Sequence, residues 1–184
     1  MSDTSRFDTL VDAAERYGRL SLDNYAIVRS VAENVSAGFC RYLGDDKGVC
    51  VHLVPPTGPW VPQPYRSGAF SVSGSGFLPL GPIAFGLAVK VSRTGDWIRL
   101  VLTCAKKGHH MEIVIANGPV FDIDLPVADS ELLDLFERLH AHLVRWFNDA
   151  ADLYEHGDYG GQSIGFDFLH NPPGEDVPED QTDG

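Results

Sequence analysis

Two histidines stand side by side in CAKKGHHMEIV, residues 104–114, and Glu112 follows two positions after His110. The nearby run VFDID, residues 120–124, adds Asp122 and Asp124. Imidazoles and carboxylates at this density suit proton transfer or a hard divalent cation. Two close acids either push one pKa up or share an ion that neutralises both. Whether these groups can cooperate depends on the elements that carry them.

Four segments alternate apolar and polar residues, the period of a half-buried strand: 83–92, 97–105, 110–116 and 120–124. Short glycine-containing turns separate them, which reads as an antiparallel meander. A tight turn at Thr94-Gly95 pairs Val89 with Leu100 and Leu87 with Leu102. A turn at Lys107-Gly108 pairs Leu102 with Ile113 and Leu100 with Ile115. The Asn117-Gly118-Pro119 turn pairs Ile115 with Phe121 and Ile113 with Ile123. Every hairpin then sets apolar against apolar, and a slip of one residue would spoil all three.

Strand parity separates the histidines. His109 falls with Met111 and Ile113 toward the core, and His110 falls with Glu112 on the other face, so one ion cannot take both. The second face also carries Trp97, Arg99, Asp122 and Asp124. In this register Glu112 lies opposite Asp124, an unfavourable pairing unless His110, a cation or water compensates. Ala84, Gly86 and Ala88 form a small-residue row on the same face, and a packed helix is its expected occupant, ahead of the proline-rich loop with Trp60 or a ligand. The candidate ligand site is therefore His110, Glu112, Asp122, Asp124 and Arg99, walled by Trp97 and by Trp60. Trp60 belongs to a proline-rich loop, PPTGPWVPQPYRSG, between a first strand at 48–54 and a possible short strand, AFSVSG. No catalytic residue, metal site or cofactor is assigned.

Helical spacing predicts a short helix at 7–17, with a stripe of Phe7, Leu10, Val11, Ala14 and Tyr17, ended by Gly18. A second helix is expected at 22–43, and a long one at 129–155 capped by Asp129 or Ser130. The fold class is α+β: two N-terminal helices, an antiparallel meander of about five to six strands, and one long C-terminal helix packed on the sheet. Residues 1–168 form one domain, and 169–184 read as a disordered acidic tail. Ile164, Phe166 and Phe168 alternate just before it and could add one strand, in the same chain or to a partner subunit.

Net charge is −12, and ten acids lie in residues 146–184 with no Lys or Arg after Arg145. That distribution argues against a nucleic-acid surface. The apolar runs are too interrupted to span a bilayer, and the N-terminus lacks a signal-peptide pattern. Cys40, Cys50 and Cys104 have no zinc-type spacing and read as free buried thiols in a reducing cytoplasm. Phosphate-loop, dinucleotide and nucleophile-elbow contexts are absent. The expected function is a small acidic cytoplasmic protein that binds a protein partner as an adaptor or chaperone-like module, and forms a homodimer. The alternative is a small ligand- or metal-binding enzyme using the polar sheet face.

Overall fold

A computed structural model describes residues 5–45, 49–60, 67–73, 75–157 and 167–169. The element order is α1 (Arg6–Tyr42), β1 (Val51–Val54), a 3-10 turn (Ser67–Ala69), β2 (Ile83–Lys90), β3 (Trp97–Lys107), β4 (His110–Ile115), β5 (Val120–Asp124), α2 (Asp129–Glu155) and β6 (Asp167–Leu169). The α+β class and the antiparallel meander hold, with spatial order β1-β2-β3-β4-β5. β6 pairs antiparallel with β3 at Trp97–Arg99, beyond the stretch of β3 that β4 occupies. Of the expected added strand, residues 164 and 166 lie outside the described residues, as do Tyr65 and the proposed tail after Leu169.

Among the described residues two α-helices, not three, build the helical layer. The expected stop at Gly18 does not occur, because the apolar seam continues in register through it: Tyr17, Ser21, Asn24 and Val28 lie on one face. Ser21 Oγ bonds back to the Tyr17 and Gly18 carbonyls at 3.0 and 3.1 Å, and Asn24 reaches the Gly81 carbonyl at 3.2 Å. These polar seam residues hide the continuity from a hydrophobicity count, and one glycine costs a helix only about 1 kcal/mol. Ser5 caps the start reciprocally with Asp8: the Asp8 N–H donates to Ser5 Oγ, and the Ser5 N–H to the Asp8 carboxylate, both at 3.0 Å. A hydrogen bond from the Ser5 hydroxyl to the Asp8 carboxylate at 2.7 Å, with the one from the Ser5 N–H, holds that carboxyl below its ordinary range. α2 spans the expected residues but begins one position earlier in its capping. Ala128 is the N-cap, and Glu131 supplies the acceptor for the Ala128 and Asp124 N–H groups, at 3.3 and 2.8 Å.

Both helices cover the same sheet face. Val28, Val31, Val35 and Phe39 of α1, and Leu135, Phe136, Leu139 and Leu143 of α2, join the inward residues of all five meander strands in one core. Gly38 sets how close the helices come: a Cβ there would stand 2.5 Å from the Phe136 ring. Each hairpin keeps the expected face but slips by two residues. Leu87 faces Leu100, Leu102 faces Ile115, and Ile113 faces Phe121. A two-residue slip preserves every inward side chain, so alternation alone cannot choose between the two registers.

The cysteines depart from expectation. Gly44, at φ +84°, turns the chain after α1, so that Cys40 and Cys50 face each other with Cα atoms 5.5 Å apart, and they are disulfide-bonded. Cys104 is free and buried, and burial pushes its thiol up to about 12.

Candidate functional site

The second sheet face has two ends with different surroundings. β1 brings chain across the first. After Val54 the backbone turns over β2, and a Cβ on Gly86 would meet the Val54 and Pro55 carbonyl oxygens at 2.7 and 2.9 Å. The small-residue row thus admits the backbone of the proline-rich loop rather than the expected helix, which the core face claims instead. Val54, Ala88 and Trp97 bury one another here, with Trp60 and Leu169 packed against them. His52 stacks on Trp97 with ring centroids 5.3 Å apart. The Trp97 indole N–H is buried and has no acceptor among the described residues.

Arg99 lies at the centre of this end, only 7% exposed. Its Nε donates to Asp167 Oδ2 at 3.0 Å, and Nη2 donates to the same oxygen. Nη1 donates to the Gly58 and Pro55 carbonyls at 2.7 and 3.2 Å. The Trp60 ring covers the guanidinium at 5.1 Å. A cation taken this far out of water needs its donors filled and a counter-charge nearby. Carbonyls fill two of the contacts, and the anion comes from β6. Along β6 the side chains alternate: Asp167 meets Arg99, Leu169 joins the Trp97 cluster, and Phe168 turns to the helix side. There its ring centroid is 6.1 Å from that of Trp146 and 6.4 Å from that of Phe147.

The other end of the face is open. Lys107 lies eight residues along β3 from Arg99, roughly 26 Å at a strand's rise. There His110 Nδ1 lies 2.6 Å from Asp124 Oδ1, and Lys107 Nζ donates to Glu112 Oε2 at 2.6 Å. The slip of two residues sets His110 opposite Asp124 and Glu112 opposite Asp122, so the expected Glu112–Asp124 opposition is replaced. His110, Asp122 and Asp124 are exposed, and Glu112 is half-buried. The seven predicted residues therefore divide. Trp60, Trp97 and Arg99 come together, whereas elsewhere on the face His110 pairs with Asp124, Glu112 pairs with Lys107, and Asp122 lies exposed opposite Glu112. Asp167 was not singled out from the sequence, because its pairing with β3 joins positions 68 residues apart. The apolar alternation around Phe168 was the signal that a strand ran there.

Two other groupings bear on chemistry. His109, on the helix side as its parity requires, lines a cleft of about 450 Å³ with Ser30, Asn34 and Lys106. Lys106 Nζ there donates to the Gly108 carbonyl at 2.8 Å. Cys40, Asp45 and Cys50 bring donor atoms within 4.8 Å of one another, but the two sulfurs are bonded to each other and do not form an open ligand set. Among the described residues, no helix is long and apolar enough to cross a membrane. No family model, curated protein sequence or solved structure matches this chain.

Proposed function

We propose that this chain is a protein-binding, adaptor-like module that takes hold of an extended, acidic segment along β3, and that β6 is the segment resident in that slot. One observation carries the reading: the buried Arg99 draws its counter-charge from β6, a strand 68 residues further along the chain that pairs with the edge of β3 beyond β4. Strand addition supplies affinity through main-chain bonds and specificity through alternate side chains. The slot has both parts. Trp97, Ile98 and Arg99 provide the backbone ladder, and the side-chain pockets call for an acid at Arg99 and an apolar residue at Trp97. β6 leaves the Asp167 side chain 60% exposed. It follows a glycine-rich stretch, HGDYGGQSIG.

A labelled peptide spanning residues 162–171 tests this. It is titrated into the full chain and into an Asp167→Ala/Leu169→Ala variant whose own β6 no longer fills the slot. We expect the variant to bind more tightly than the parent, and Arg99→Ala to abolish binding. A peptide carrying Asn in place of Asp167 should bind poorly. No binding by a variant that keeps its circular dichroism spectrum would overturn the proposal.

A further inference from the structure

The N-terminal half of α1 leaves the body of the protein. From Arg6 to Leu20 no residue is buried, whereas burial begins at Ser21 and recurs at Asn24, Val28 and Val31. Yet the helical seam runs on through this half. Phe7, Leu10, Val11, Ala14 and Tyr17 share one face, and Phe7 and Leu10 are 71% and 66% exposed. Tyr17 stacks on Phe77 with centroids 5.3 Å apart, which anchors the base of the arm and leaves its outer two turns bare. An isolated helix of about 15 residues is marginal in water, and most helix stability comes from packing an apolar face. This face therefore calls for a partner.

Charge indicates which one. The arm carries Arg6, Arg16 and Arg19 against Asp8, Asp12 and Glu15, so it is neutral in a chain of net charge −12. Ten of the acids lie at 146–184, beyond the last basic residue, so two copies repel through that end of the chain, and the neutral arm is where they can meet without that cost. The borders of the stripe are self-complementary as well. At 100° per residue, Asp8, Glu15 and Arg19 fall on one border and Arg6 on the other. In a parallel pair Asp8 of one copy falls beside Arg6 of the other, and in an antiparallel pair beside Arg19. Ala14, midway along the stripe, permits close approach of the two backbones. We infer that the arm is a dimerisation surface for a second copy of this chain, packed through Phe7, Leu10, Val11, Ala14 and Tyr17. An isologous contact of this kind closes on itself and leaves no face for further growth.

The inference stands apart from the strand slot, since it uses the opposite end of the chain and different residues. Sedimentation of the full chain across a range of concentrations tests it. The expected result is a dimer that dissociates on dilution. Leu10→Glu should raise the dissociation constant about 100-fold or more, which corresponds to about 2.7 kcal/mol. Phe7→Glu, also at a solvent-facing position, should act in the same direction. Tryptophan fluorescence should show the body of both variants unchanged, and their peptide binding at the slot should match the parent. A chain that stays monomeric at every concentration overturns the inference, including the case in which some other protein covers the arm. So does a dimer that survives both substitutions.

Discussion

The two ends of the second sheet face use similar residue types in opposite ways. At one end Arg99 is buried beneath Trp60, with its donors spent on Asp167 and two carbonyls. At the other, His110 meets Asp124 and Lys107 meets Glu112, with three of these four side chains exposed. A solvated ion pair contributes little, because water and salt already serve both charges. A buried cation depends on whatever supplies its anion. The chemistry-bearing residues that crowd the sequence at 109–124 are thus the weaker candidates. The more consequential group is a single arginine whose surroundings come from distant parts of the chain.

That contrast can be broken in several ways. The largest expected effect is from Gly86→Ala, whose new methyl would press on the Val54 and Pro55 carbonyls and lift the loop off the Arg99 end. We expect a loss of about 1–3 kcal/mol in urea unfolding. Thr103→Ala, on the uncovered part of the face, should cost less than about 0.5 kcal/mol. If the two cost the same, the loop is not what closes that end. Next comes Asp167→Ala, which leaves Arg99 with carbonyls alone. A hydrogen bond to a charged group is worth about 1.5–3 kcal/mol. With Asp167 largely exposed, screening lowers the expectation to about 1 kcal/mol. Asp124→Ala should stay within about 0.5 kcal/mol. Equal costs for the two acids would erase the distinction between the ends.

The smallest effect concerns His142. His142 is half-buried against the β4–β5 turn, where a Cβ on Gly118 would lie 2.9 Å from its Nε2. Burial lowers its pKa, and Arg145 adds to the shift. The folded state therefore disfavours the proton relative to the unfolded chain. The associated stability is fully present above the ordinary histidine range and is lost as pH falls through the depressed folded value. Unfolding midpoints should drop between neutral and mildly acidic pH, and His142→Gln should flatten that part of the drop. An unchanged slope in the variant would remove His142 as its source.

Much of this architecture was legible from alternation. The parity of four of the five meander strands, β2 to β5, the separation of His109 from His110, and the span of α2 follow from periods of 2 and 3.6 residues. The register was not legible, because a slip of two residues leaves Leu87, Leu102 and Ile113 facing inward either way, and only loop geometry decides between them. The continuous α1 was hidden by Gly18, Ser21 and Asn24, whose compensating bonds are invisible to a hydrophobic pattern. Of the residues that gather at the Arg99 end, Trp60, Trp97 and Arg99 were singled out from the sequence, and Asp167 was not. Proximity across 68 residues of chain depends on tertiary pairing, not on any local signal. The Cys40–Cys50 bond escaped for a related reason: it depends on the turn at Gly44 folding the chain back on itself.

Arg99 and Asp167 are expected to hold β6 in place as a coupled pair. A double-mutant cycle with Arg99→Ala and Asp167→Ala, read by urea unfolding of the full chain, measures that coupling directly. We expect an interaction energy of about 1 kcal/mol or more, so that the second substitution costs little once the first is made. Costs that simply add, within about 0.3 kcal/mol, would contradict it.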